Sequence, residues 1–207
     1  VVQVLDVGQE GGTFYLVMEF VEGTDLRSVE RRHPGGAVPL DPLLFIIAEV
    51  LRGLEAIHGA HGPDGAPLRI IHRDVTPSNV LLSRGGAVKL GDFGIAHASG
   101  RLTQTQHGAV KGKTRYMAPE QLAGGIIDHR SDLFAVGVVF LEALLGRASA
   151  DAWQATGMGP IFRLPVRIPP AVPREVGDIL RRALTEDPLD RYPTAAHFRR
   201  EVLRVLH

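Results

Sequence analysis

Ile70-Ile71-His72-Arg73-Asp74-Val75-Thr76-Pro77-Ser78-Asn79-Val80-Leu81-Leu82 is followed by Ser83-Arg84-Gly85-Gly86-Ala87-Val88-Lys89-Leu90, and then by Gly91-Asp92-Phe93-Gly94. Two short apolar runs, Val80 to Leu82 and Ala87 to Leu90, flank a turn at Gly85-Gly86. That is the pattern of a small hairpin with a polar loop at each outer end. The loop before it carries Asp74 and Asn79, and the loop after it carries Asp92. An antiparallel pair returns the chain to the edge where it began, so these three side chains are expected to converge.

Three oxygen-bearing side chains suit phosphoryl transfer. That reaction needs divalent metal to neutralise phosphate charge and a carboxylate to position the incoming hydroxyl. Magnesium takes hard oxygen ligands and keeps part of its water shell, so one carboxylate and one amide oxygen suffice. Asp92 and Asn79 are the candidate metal ligands, and Asp74 is the candidate partner of the nucleophile. Taken singly, each is better read as a turn-capping loop residue. Their joint spacing carries the chemical reading.

Composition narrows the field. The 207 residues leave room for one domain or one large lobe, and a hydrophobic content of 44% is ample for a packed core. Lys+Arg and Asp+Glu are both 23, so no bulk charge attracts nucleic acid or an anionic membrane. The absence of cysteine excludes a disulfide framework and thiol catalysis, and permits a cytoplasmic setting. The longest apolar run, Leu133 to Leu141, is about half of the ~20 residues a membrane span needs, so it reads as a buried helix. No signal peptide is expected, because the first residues are not basic and no long apolar segment follows them.

Along the chain, Val1 to Val7 and Thr13 to Phe20 read as strands of a hairpin around Gln9-Glu10-Gly11-Gly12. Leu26 to Arg32 reads as a helix that Asp25 would cap. Leu43 to His58 has helical periodicity, with Leu44, Ile47, Leu51, Leu54 and Ile57 near one face. Arg174 to Leu184 and Thr194 to Leu206 read as two further helices. His58, His61 and His72 are read as helix-end and core residues, since zinc would lack a fourth ligand.

His72-Arg73-Asp74 with Asn79, then Asp92-Phe93-Gly94, then Ala118-Pro119-Glu120 resembles the protein-kinase signature set in its usual order. The nearest likeness is to the eukaryotic-like serine/threonine kinases of bacteria, over nearly the whole chain. The resemblance implies an α+β fold: residues 1–22 as a residual small-lobe hairpin and hinge, residues 23–207 as the mainly helical large lobe. It implies ATP and Mg²⁺, a protein substrate, and the following roles. Met18 matches the gatekeeper, Glu19 to Val21 the hinge that bonds the adenine edge, Asp25 the polar residue near the ribose, and Leu81 the residue beneath the adenine. Asp74 matches the catalytic aspartate, and Asn79 and Asp92 the metal ligands. His72 matches a histidine that supports Phe93, Arg73 the acceptor of an activation-segment phosphate, Asp132 the anchor of the His-Arg-Asp backbone, and Arg191 the partner of Glu120. Ser99, Thr103 and Thr105 are the candidate phosphate carriers, Thr103 and Thr105 foremost.

Two departures stand out. Thr76 occupies a place where such kinases usually carry lysine, and Lys113 a place where they carry threonine. One reading makes Lys113 the source of the missing positive charge and Thr76 of the hydroxyl, both facing Asp74; the other makes Lys113 a solvent-facing residue. The sequence also begins at the fourth strand of the family pattern, without a Gly-rich loop or strand lysine. Losing one preorganised donor costs ~10²–10³ in rate, so the chain alone is expected to be weak or inactive. Its hairpin is expected to be loosely held, or covered by a partner chain or a second copy. The alternative function is a pseudokinase scaffold that binds protein partners. A small-molecule phosphotransferase is disfavoured by the Ala118-Pro119-Glu120, Asp132 and Arg191 set.

Overall fold

The computed structural model describes residues 1–92, 114–146, 168 and 172–206. Phe93, Lys113, Ser99, Thr103 and Thr105 lie outside these described residues.

Strands β1 (Val4–Glu10) and β2 (Thr13–Met18) form an antiparallel hairpin, with Gly8 opposite Tyr15. Pairing starts at Val4 and not at Val1 because the first residues go elsewhere: the Val2 N–H donates to the Leu90 carbonyl at 2.9 Å. Beyond Met18 the Glu19 N–H donates to Gln3, and Phe20 stands exposed. Most of the hairpin's apolar side chains face water; Phe14 is 75% exposed and Val7 64%.

A second sheet organises the interior. Strands β3 (Gly23–Asp25), β4 (Val80–Ser83) and β5 (Val88–Leu90) lie antiparallel in that order. The expected hairpin is β4–β5, with Val80 opposite Leu90. β3 was not legible, being three residues long. It pairs Asp25 with Leu81, and Gly23 is required there: a Cβ would sit 1.9 Å from the Leu82 carbonyl oxygen.

Helix α1 (Leu26–Arg32) follows β3 directly, and Asp25 caps it as expected, Oδ1 accepting the Ser28 N–H at 2.9 Å. Helix α2 (Leu40–His58) starts a turn before Leu43, because Pro42 is tolerated in a first turn whose N–H groups have no helical acceptor. The short α3 (Pro119–Leu122) leads to α4 (Arg130–Leu145), then α5 (Arg174–Ala183) and α6 (Ala195–Leu206). Helix α4 is buried from Ser131 to Ala143, as its unbroken apolar run demands. α2 packs on it from one side and α5 from another, while α6 lies along α2. The α4–α5 approach is close at Gly137, where a Cβ would lie 3.0 Å from the Ala183 Cβ.

Candidate active site

Asp132 is the anchor. It sits in the first turn of α4, 1% exposed. Its Oδ1 accepts the Arg73 N–H at 2.8 Å; its Oδ2 accepts the His72 N–H at 2.8 Å and lies 2.8 Å from His58 Nε2. The start of the catalytic-loop candidate is thereby pinned to the buried helix, and Arg73 is held at a φ of 65°, a left-handed conformation that side chains rarely adopt.

His72 links the two loops that flank the hairpin. Its Nδ1 accepts the Asp74 N–H at 3.3 Å, so its Nε2 carries the hydrogen and donates to the Gly91 carbonyl at 3.1 Å. Burial lowers the His72 pKa below its ordinary value, against the pull of Asp132, which keeps this tautomer neutral.

Asn79 completes the link. It ends the 3-10 turn Pro77–Asn79, and its Nδ2 donates to the Asp74 carbonyl at 2.7 Å and to Asp74 Oδ2 at 3.2 Å. Its own carbonyl accepts the Gly91 N–H at 2.8 Å, next to Asp92. Asp92 is exposed and has a φ of 51°. Asp74 and Asn79 are thus bonded together at one end of the β4–β5 sheet, while Asp92 follows the residue that Asn79 holds. Both Asn79 side-chain bonds use the amide nitrogen, so its oxygen remains suited to a hard cation, as does the Asp92 carboxylate. The donor set fits Mg²⁺.

The nucleotide-side candidates border the same sheet. Leu81 on β4 is half-buried and directly opposite Asp25. Asp25 already bonds the Ser28 N–H and hydroxyl, which leaves carboxylate lone pairs over. The Glu19 side chain is engaged structurally: it accepts the Gln3 N–H at 2.8 Å and pairs with Lys89. The hydrogen bond from Lys89, with that from Gln3, holds the Glu19 carboxyl below its usual range. With the Glu19 N–H also given to Gln3, Glu19 has its backbone carbonyl left for a ligand edge. Met18 is exposed at the end of β2. Thr76 is buried and lines a small cavity with Asp74, Tyr116 and Met117, whereas Lys113 falls outside the described residues.

The peptide-side candidates are tied to the core. Arg191 donates to both Glu120 oxygens at 2.8 Å and also bonds the Thr185 and Glu186 carbonyls. Burial alone would raise the Glu120 pKa, but the bonds from Arg191 and Ser131 hold it below its ordinary value.

A second buried cluster carried no motif. Arg27 of α1 reaches Glu142 at 2.5 Å, Glu30 at 2.7 Å and the Tyr116 hydroxyl. Glu142 also accepts from Arg115 at 2.7 Å and from Tyr116 at 2.9 Å. Burial and the neighbouring carboxylate push the Tyr116 hydroxyl above its ordinary range, so it remains a donor. The available signal was Glu142 itself, a carboxylate directly after the apolar run Leu133 to Leu141, which must find cations. His58, His61 and His72 go to separate partners, Asp132, the Gly59 carbonyl and Gly91.

Comparison with known proteins agrees with this geometry. The family model described as protein kinase domain matches residues 1–202. Tyrosine-protein kinase MasK of Myxococcus xanthus is 39% identical over 208 residues, covering 96% of this chain and 32% of that protein. Serine/threonine-protein kinase PrkC of Bacillus subtilis is 35% identical over 201 residues, covering 94% of this chain and 29% of that protein. The chain therefore spans about a third of the length of these curated relatives. The crystal structure of the Mycobacterium tuberculosis PknI kinase domain superposes with a TM-score of 0.68 at 27% identity, covering 99% of this chain and 71% of that one. The buried anchor, the linked loops and a match running from residue 1 to residue 202 place this chain in the protein kinase domain family, among its eukaryotic-like bacterial members.

Proposed function

We propose that this chain is the core of a kinase that transfers the γ-phosphoryl group of ATP to a protein hydroxyl. The observation that carries this reading is the bonded set Asp74–Asn79–Gly91, which sets Asp92 beside it and hangs from Asp132. In this reading Asp74 orients the substrate hydroxyl and takes its proton, while Asn79 fixes the Asp74 carboxylate. Asn79 and Asp92 hold Mg²⁺, which neutralises charge on the transferred phosphate. The Glu19 and Val21 backbone bonds the adenine edge, Met18 and Leu81 border its faces, and Asp25 meets the ribose.

Residues 1–22 belong to the smaller lobe and residues 23–207 form the larger lobe. The exposed hairpin is either loosely held or covered by a partner chain, and the protein works in the cytoplasm. Among the described residues no helix is long and apolar enough to cross a membrane. Serine and threonine are the preferred acceptors, as for the serine/threonine-protein kinase PrkC; the tyrosine-protein kinase MasK makes tyrosine the rival acceptor.

Calorimetry with ATP and Mg²⁺ on this chain and on its Asp92→Asn variant tests the nucleotide half, with binding lost in the variant. Phosphotransfer by the full-length protein tests the chemistry: Asp74→Asn is expected to lower the rate by ~10²–10⁴ with nucleotide affinity unchanged. Phosphoamino-acid analysis of the product identifies the acceptor. An Asp74→Asn protein with undiminished rate refutes the assignment.

A further inference from the structure

Two exposed features near the end of the chain complement each other, and neither serves the site described above. The first is a groove of about 590 Å³ between α2 and α6, lined by Glu55, Ala196, Arg199, Arg200, Leu203 and Arg204. Ala196 and Leu203 are half-buried and give it an apolar floor. Three guanidinium groups face one carboxylate. Arg204 is held by Glu201 at 2.8 and 2.9 Å. Arg199 and Arg200 form no ion pair among the described residues, and the Arg199 Nε is buried without an acceptor.

The second feature is a knob. In the 3-10 turn Pro188–Asp190, Leu189 is 75% exposed, an apolar side chain with no cover. Glu186, Asp187 and Asp190 surround it in sequence, all exposed. Asp187 caps the turn by accepting the Leu189 N–H at 2.8 Å. Glu186 and Asp190 form no ion pair among the described residues. The knob is an apolar tip among carboxylates, and the groove is an apolar floor among guanidinium groups. Arginine pairs with carboxylates more strongly than other cations do, because its donors match both oxygens.

We propose that a second copy of this chain seats its 186–190 turn in the α2–α6 groove. Leu189 then rests on Ala196 and Leu203, and the Glu186 and Asp190 carboxylates meet Arg199 and Arg200. Knob and groove are different patches, so the contact is head to tail. Each copy offers both, and the assembly grows or closes as a ring instead of stopping at a two-fold dimer. Its rim charges are exposed, so added salt weakens it.

Sedimentation of the chain at low salt tests this, alongside R199E/R200E and E186R/D190R. The wild type is expected to gain mass with concentration, and each charge-reversed protein to stay monomeric with an unchanged circular dichroism spectrum. An equimolar mixture of the two should associate again, since the acidic groove accepts the basic knob and the basic groove the acidic one. L189S, which keeps every charge, should weaken association by about tenfold. A wild type that is monomeric up to its solubility limit overturns the proposal, and so does a mixture that fails to associate. Self-association untouched by either charge reversal also overturns it. Capture of a labelled Glu-Leu-Glu-Glu peptide by a chain that does not self-associate assigns the groove to a foreign acidic segment, and is equally fatal.

Discussion

Replacing Asp132 with alanine removes one carboxylate and strands three partners. The His72 N–H is fully buried and the Arg73 N–H partly so; both lose an acceptor at 2.8 Å, and His58 loses its partner. An unsatisfied buried polar group costs about 1–3 kcal/mol, so two orphaned amides cost about 2–6 kcal/mol. Against a total stability of about 5–15 kcal/mol, that is a large fraction. Asp132→Asn is milder. One side-chain oxygen remains for one amide, and His58 can accept from the new NH₂ by switching tautomer, which leaves a single N–H opposed by a donor and a cost of about 1–3 kcal/mol. Urea unfolding at neutral pH measures both, and amide hydrogen exchange reports the site directly. Stability is expected to fall in the order Asp, Asn, Ala, with protection at His72 and Arg73 lost first. An Asp132→Ala chain destabilised by less than about 1 kcal/mol, with those two amides still protected, refutes the assignment of Asp132 as the anchor.

Arg191→Met leaves Glu120 charged and partly buried without its partner and is expected to cost about 3–5 kcal/mol; adding Glu120→Gln should recover part of that in a double-mutant cycle measured by denaturant unfolding. The Glu120 pKa is depressed, so the pair's contribution is complete above the ordinary carboxylate pKa of about 4.3 and fades as pH falls through the folded value; acid unfolding should be less steep in Glu120→Gln. His72 also has a lowered pKa, so below about pH 6.5 the unfolded chain takes up a proton that the folded chain refuses, and stability drops with pH there. A nuclear magnetic resonance titration in which His72 protonates at or above that value contradicts this account. Gly137→Ala forces a methyl group against Ala183 and Leu184 and should cost about 1–3 kcal/mol in thermal or urea unfolding; a neutral result would mean that α4 and α5 separate freely.

What could be read from sequence followed from local rules. The β4–β5 hairpin was legible because its apolar residues bracket Gly85-Gly86, and the Asp25 cap because aspartate precedes an amphipathic run. The return of the Gly91-Asp92 segment to Asn79 followed from that hairpin, whereas Asp74 and Asn79 meet within one loop. β3 was not legible: three residues carry no period, and its pairing depends on Leu81 and Ser83 arriving from far along the chain. Nor was the Arg27–Glu142 contact, since charged residues 115 positions apart meet only once α1 and α4 are packed. The engagement of Glu19 by Gln3 and Lys89 was hidden for the same reason, and it restricts the hinge reading to the backbone. The proposed exchange between Thr76 and Lys113 rests on sequence alone, because Lys113 lies outside the described residues.

Helix α4 has almost no face of its own to show to water. During synthesis it is made before α5 and α6, when only the segments that precede it, α2 foremost, can shelter it. The Gly137 side of α4 waits for Ala183 and Leu184, and the long face of α2 waits for α6. Translation adds about 5–20 residues per second, so these apolar surfaces stay uncovered for seconds while the rest of the chain is made. The nascent chain must therefore keep these surfaces apart until α6 emerges, and a chain cut short before Arg174 would be an adhesive intermediate in need of a chaperone.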